Sequence, residues 1–246
     1  MSSILQKFVL WFPIPLTKKE SIKRNIHKII KNVCTPDSCC VDIGSYGGTV
    51  LKIMIEVLPK ATHMAFEPLP KMYTLLVRKY SSAVQIQKIA ICNETGDATF
   101  YHAQENPAFS GLRKVKYPHR YHLEKLEVKS DTLDNQLKDI HTPLINIDVN
   151  GAEFSVIKGA IETINRCQPV ILFVFESTGA EAFNISAEMI FDYFTKQLAY
   201  HLYTLKSFAG GKKSISRVEF VRFYNEGTQD HFVAAPKNSA KRTRNV

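Results

Sequence analysis

The run Cys40-Val41-Asp42-Ile43-Gly44-Ser45-Tyr46-Gly47-Gly48-Thr49 constrains the fold of this chain more than any other stretch. An apolar segment reaches an acidic residue, breaks at a glycine-rich turn and passes into a helical pattern up to Val57. That order reads as strand, turn and helix. Glycines let the backbone approach a ligand with no Cβ in the way, and a helix start offers unpaired N–H groups. A second apolar run, His63 to Phe66, ends in Glu67, placed to accept both ribose hydroxyls of an adenosine. Together the two runs describe a nucleoside-binding half-site on a parallel sheet.

Two ligand classes share that geometry. A dinucleotide fold wants G-x-G-x-x-G, because the pyrophosphate sits on the turn and the helix N-terminus. Here the glycines fall at Gly44, Gly47 and Gly48, with Asp42 two residues ahead of the first. A carboxylate at that point faces a pyrophosphate unfavourably. It suits the cationic end of S-adenosylmethionine, which carries a sulfonium and an amino group and no phosphate. A methyl donor is therefore favoured over a nicotinamide cofactor.

The chain has 246 residues, enough for one large α/β domain and too few for two comfortable ones. The expected division is an N-terminal helical segment over 1–36 packed on the core, a catalytic domain over 37–236, and a basic tail over 237–246. Net charge is +9, with part of the excess at Lys18-Lys19, Lys23-Arg24 and the tail. This is either a solvated surface or an attraction to an anionic partner such as an acidic glycan, a phosphorylated carrier or a membrane face. No basic stripe with interleaved aromatics marks a nucleic-acid binder. Five cysteines without metal-site spacing fit a reducing, cytoplasmic compartment. The apolar start, Ile4 to Leu16, is interrupted by Lys7, Pro13 and Pro15 and is too short to span a bilayer. It is expected to pack on the domain, the alternative being peripheral contact with a membrane. Oligomeric state is not legible.

Along the chain, Ser21 to Val33 reads as a helix with Ile22, Ile26, Ile29 and Ile30 on one face. Strands are expected at 40–44, 63–67, 84–91, 98–102, 126–130, 144–149 and 170–175, with helices at 48–58, 69–80, 132–139, 152–166 and 186–198. The end reads as strands at 200–207, 218–224 and 232–235. Alternating strands and helices argue for a doubly wound, mostly parallel seven-stranded sheet with helices on both faces and an antiparallel C-terminal portion. Gln104 to Tyr121 is polar and aperiodic, with Pro107, Gly111 and Pro118, which suits a functional loop.

In open α/β sheets ligands bind beyond the carboxyl ends of the strands. That rule selects Asp42 to Gly48, Glu67, Lys88 to Ala90, Asp148 to Glu153, and Glu176. The fourth core strand ends in Ile147-Asp148-Val149-Asn150-Gly151-Ala152-Glu153: an acid, a glycine turn, then a second acid as a helix begins. Glu153 could serve simply as a dipole-favoured residue at the helix start. Asp148 is harder to assign to structure, because burying a carboxylate without a partner is costly.

The order of these blocks resembles the FkbM-type S-adenosylmethionine-dependent methyltransferases. The resemblance runs from about Val41 to Glu176, more than half the chain, through Val41-Asp42-Ile43-Gly44, Ala65-Phe66-Glu67-Pro68, Ala90, Gly96, Thr132-Leu133-Asp134 and Ile147–Glu153. It implies a class I methyltransferase (Rossmann-like) fold and O-methylation, commonly of sugar hydroxyls in glycans or natural products. It implies a cofactor site drawn from Asp42, Gly44, Ser45, Tyr46, Gly47, Gly48, Glu67, Pro68, Lys88, Ile89, Ala90 and Asp148. The family usually shows Lys-Ile-Asp-x-Glu-Gly in the fourth-strand block, where this chain has Asn146 and Asn150. One base and one acid are lost together, so the local charge is unchanged.

Methyl transfer from a sulfonium is an in-line displacement, so alignment supplies much of the rate. A sugar hydroxyl also needs a general base, or a metal that lowers its pKa. Asp148 is the first candidate for base or for holding a divalent metal, and Glu153 the second. His102 and His119 are alternatives. The acceptor, a carbohydrate or other hydroxyl-bearing molecule, would meet Ser110, Arg113, His119 and Asn150, with Arg113 and Lys114 favouring an anionic one. Asn106 to Leu112 reads as a lid. The competing readings are a cofactor-binding module without turnover and, less favoured, a nicotinamide enzyme.

Overall fold

The computed structural model describes residues 17–116 and 121–237. The chain enters through a helix, Lys18–Val33, whose Thr17 hydroxyl caps the N–H of Glu20 and whose Ile26, Ile29 and Ile30 are buried. The expected periodicity of this helix is thus met. The N-terminal apolar run and most of the basic tail lie outside the described residues.

Seven strands form the main sheet: β1 (Cys40–Ile43), β2 (His63–Phe66), β3 (Val84–Gln87), β7 (Leu144–Ile147), β8 (Val170–Val174), β9 (Tyr200–Thr204) and β10 (His231–Pro236). Their order is β3-β2-β1-β7-β8-β10-β9. The pairs from β3 to β8 are parallel, and β10 runs antiparallel to both its neighbours. Side chains alternate across the pleat. Val41, Ile43, Ile145 and Ile147 pack into the core on one face, while Cys40 and Leu144 join Ile26, Ile29, Leu51 and Met54 on the other. The sheet is doubly wound, as the alternation of elements implies. The order in which the strands are laid down reverses between β1 and β7, and the cleft lies there.

A smaller sheet, β4 (Ala90–Ile91), β6 (Leu123–Asp131) and β5 (Gly96–Ala103), has the order β4-β6-β5. The expected single strand over 84–91 is therefore two strands in two sheets, divided at Lys88-Ile89. Phe100 and Val128 pack with Leu69 and Ala90 beneath this sheet, which brings Phe100 to the cleft.

Two other expectations are corrected. The segment 152–166 is two helices, Glu153–Lys158 and Ile161–Cys167. At the break, a Cβ on Gly159 would run into the carbonyl of Cys92. The Asp134 carboxylate accepts from the N–H groups of Glu162 and Thr163 at 3.0 and 2.7 Å, starting the second helix from outside it. Residues 218–224 form no strand but lie in the helix Arg217–Glu226. A capping box between Ser216 and Glu219 starts that helix. Phe220 is buried while Val218 is 78% exposed, a helical pattern that period-two alternation mimics over a short window.

Candidate active site

Glu67 follows β2 and is 4% exposed. Its Oε2 accepts from the N–H of Tyr46 at 2.8 Å and its Oε1 from the N–H of Leu69 at 2.9 Å. Each oxygen keeps acceptor capacity for a further donor. The carboxylate thus ties the glycine turn to the end of β2 and remains fit to bind hydroxyls. Burial pushes its pKa up to about 7, against the pull of the two backbone N–H groups. Beside it opens a cleft of about 540 Å³, mouth included, walled by Ile43, Gly44, Tyr46, Phe66, Pro68, Leu69, Ile89, Ala90, Ile91 and Phe100. An apolar slot ending at a carboxylate with unused lone pairs fits the adenosine of S-adenosylmethionine. Glu67 would hold the ribose, with Ile89 and Ala90 against the base.

The turn itself departs from expectation. Gly44 has φ +79°, and a Cβ there would run into the carbonyl oxygen of Asp148. A Cβ on Gly48 would meet Tyr80 and Leu76. Both glycines admit the protein's own atoms, whereas Gly47 faces open space. Asp42 was expected beside the cationic end of the ligand. Instead it lies under the helix Thr49–Val57, because the pleat turns it to the face opposite Val41 and Ile43. There its Oδ1 accepts from Asn146 Nδ2 at 2.8 Å, and its Oδ2 has no hydrogen-bond partner. Burial pushes its pKa up to about 6, which the Asn146 hydrogen bond opposes. Asn146, standing where the family usually has lysine, is therefore the neutral partner of a buried acid. Ser45 is buried with its hydroxyl on the Asp42 carbonyl at 3.0 Å, and Lys88 is exposed. Ser45, Gly47, Gly48 and Lys88 are absent from the cleft wall.

Asp148, just past β7, lines this cleft and a second cavity that also holds Glu153, Glu176, Thr178 and His231. Asp148 is exposed in this structure, and the protein around it partly desolvates its carboxyl. That desolvation, with the charges of Glu176 and Asp230, raises its pKa, while His231 lowers it. Glu153 is buried, and its Oε1 accepts from the N–H groups of Val149 and Gly151 at 3.2 and 3.1 Å. Its carboxylate braces the turn that positions Asp148. Burial lifts its pKa to about 7.

Asn150 adopts φ +51° within that turn. Its Nδ2 donates to the carbonyls of Ala108 and Ser110 at 2.5 and 2.9 Å, fastening the expected lid across the junction of the two cavities. Ser110 Oγ accepts from the N–H of Ala103 at 3.0 Å and contacts His102 Nδ1 at 3.2 Å, so the Ser110 and His102 side chains anchor the segment 107–110 to β5. Arg113 donates to the Ala182 carbonyl at 3.0 Å and lies over the Phe183 ring. Lys114 lies over Tyr101. Arg113 borders a separate polar groove with Lys158. His119 lies outside the described residues. No group of three or more His, Cys, Asp or Glu side chains among the described residues could hold a metal ion, and none of the described helices is long and apolar enough to cross a membrane. Sequence reasoning passed over His231, because β10 is antiparallel and brings its first residue, not its last, to the ligand edge.

The family model described as the methyltransferase FkbM domain matches residues 41–202. Among solved structures, methyltransferase FkbM from Methylobacillus flagellatus KT aligns at 15% identity and a TM-score of 0.49, covering 81% of this chain and 44% of that one. This chain thus spans less than half the length of that structure. Precorrin-6y C5,15-methyltransferase from Geobacter metallireducens GS-15 aligns at 11% identity and a TM-score of 0.43, covering 76% and 75%. A SAH-bound Podospora anserina methyltransferase aligns at 12% identity and a TM-score of 0.39, covering 96% and 88%. No curated protein matches the chain.

Proposed function

The chain belongs to the FkbM methyltransferase family, and from that premise we propose that it is an S-adenosylmethionine-dependent O-methyltransferase acting on a sugar hydroxyl. When bound, the cofactor supplies an electrophilic methyl group. The chain's own residues do the rest. Glu67 fixes the ribose end, the apolar slot from Phe66 to Ile91 excludes water, and the turn braced by Glu153 holds Asp148 where the two cavities meet. Asn150 and the lid it fastens cover that junction.

The observation that carries the reading is this junction, where an apolar slot ending at the Glu67 carboxylate adjoins a cavity lined by Asp148, Glu176, Thr178 and His231. Carboxylates and an imidazole accept hydrogen bonds from hydroxyls, and a sugar presents several together. The same side chains suit removal of a hydroxyl proton, which methylation at oxygen requires. Arg113 and Lys158, on the neighbouring groove, support an acceptor with an anionic portion.

The test is methyl transfer from isotope-labelled S-adenosylmethionine to methyl glycosides spanning neutral hexoses, 6-deoxyhexoses and uronic acids, with products read as methyl ethers by mass spectrometry. Labelled methyl ether on at least one glycoside is expected. Cofactor binding with no transfer to any hydroxyl, or transfer only to nitrogen or sulfur acceptors, would overturn the proposal.

A further inference from the structure

We infer that His231, oriented by Asp230, is the general base that takes the proton of the acceptor hydroxyl. This rests on the O-methyltransferase reading of the site. His231 opens β10, opposite Val174 near the end of β8, and its ring lines the second cavity with Asp148, Glu176 and Thr178. The backbone holding it is tied on both sides. Gln229 Nε2 donates to its carbonyl at 2.7 Å, and the N–H of Phe175 donates to the Asp230 carbonyl at 2.8 Å.

The dyad's geometry decides which ring nitrogen is available. His231 Nδ1 lies 2.7 Å from Asp230 Oδ1, and Asp230 Oδ2 lies 2.8 Å from Lys18 Nζ. The His231 hydrogen bond, with help from Lys18, holds the Asp230 carboxyl far below the usual carboxylate range. An ionised carboxylate only accepts, so the proton of a neutral imidazole must sit on Nδ1. Nε2 then keeps its lone pair, and it has no protein partner among the described residues. The ring is 27% exposed, buried enough to be oriented and open enough to meet a ligand.

Three of the acids near the reacting centre are already engaged. Glu153 braces a turn, Glu67 binds the ribose end, and Asp42 lies within the sheet. Asp148 lines the same cavity as His231, where its carboxyl can accept a hydrogen bond from a neighbouring hydroxyl of the acceptor. In the step, the hydroxyl proton moves to His231 Nε2 as the oxygen forms its bond to the methyl carbon. The carbon–sulfur bond breaks, its electron pair stays on sulfur, and a neutral thioether departs. The imidazolium, paired with Asp230, then returns its proton to solvent.

The experiment compares the parent with His231→Gln, His231→Ala and Asp230→Asn. Nitrogen-15 NMR of the ligand-free protein should show the His231 proton on Nδ1 in the parent, and loss of that preference in Asp230→Asn. Titration with S-adenosylhomocysteine should give affinities within about threefold for all four proteins, which also reports that the variants fold. Turnover on a glycoside acceptor should fall about 10²–10⁴-fold in His231→Gln, and added imidazole should restore part of it in His231→Ala. A parent imidazole protonated on Nε2, or His231→Gln turning over within threefold of the parent, overturns the assignment. A parent that methylates no hydroxyl overturns the reading beneath it instead, and the NMR result distinguishes the two.

Discussion

Replacing Glu67 by glutamine changes one oxygen into an amide that can only donate on that side. In the parent both carboxylate oxygens accept backbone N–H groups, from Tyr46 at 2.8 Å and Leu69 at 2.9 Å, in a site only 4% exposed. The amide must therefore turn its NH₂ toward one of these donors, leaving that N–H without an acceptor. An unsatisfied buried donor costs about 1–3 kcal/mol. For a chain of this length that corresponds to a loss of roughly 2–4 °C in melting temperature per kcal/mol. Ligand affinity suffers separately, because a charge-assisted hydrogen bond to the ribose is worth about 1.5–3 kcal/mol. S-adenosylhomocysteine should then bind about ten- to a hundred-and-fifty-fold more weakly. The parent carries a further signature. Burial lifts the Glu67 pKa to about 7, and hydroxyl donors favour the ionised form. Below that pH, binding must expel a proton, so affinity falls as pH drops below about 7, at a limit of tenfold per pH unit. Isothermal titration in buffers of different ionisation enthalpy reads both effects, and Glu67→Gln should lack the proton release. Affinity within threefold of the parent, or a parent whose binding enthalpy ignores the buffer, would refute the reasoning.

Two further outcomes follow from the turn and the strand beneath it. Asn146→Ala removes the amide that donates to the Asp42 carboxylate at 2.8 Å, and should cost about 1–3 kcal/mol. The folded pKa of Asp42, about 6, lies above its ordinary value, so the stability this group supplies is present at low pH and declines as pH rises through 6. Removing the donor raises that pKa further, and the stability gap measured by denaturant unfolding should be wider at pH 8 than at pH 5; an equal gap at both would show that Asp42 is not the group involved. Gly44→Ala meets the Asp148 carbonyl at φ +79°. It should destabilise by more than about 2 kcal/mol and weaken S-adenosylhomocysteine binding, whereas Gly47→Ala, facing open space, should change stability by about 0.5 kcal/mol or less; equal effects in thermal melts would refute the distinction.

The glycine run after β1, the acid after β2 and the acid after β7 were legible because a parallel sheet delivers its strand ends to one edge, and strand ends are visible as apolar runs that stop. Local pattern also marked the first helix, through its isoleucine spacing, and the aperiodic stretch that brings Ala108 and Ser110 to the cleft wall. What local pattern misread was decided at a distance. Residues 218–224 alternate in both periods over so short a window, and only the cap at Ser216 and the aromatic contacts of Phe220 make them a helix. The glycines looked like room for a ligand, yet at 44 and 48 the room is taken by Asp148, Leu76 and Tyr80, brought there by the crossover of the sheet. Asp42 was visible as an acid at a strand end, but the face of the sheet on which it lies, and its pairing with Asn146 a hundred and four residues away, exist only once β1 and β7 are neighbours. His231 opens a strand that runs against the others, so a rule written for parallel strand ends passes over it. Sequence thus determined which residue types stand at the ends of which elements, because that is set by local chemistry. Tertiary structure alone decided which of them face the cleft, because direction and register in a sheet are properties of pairs of strands.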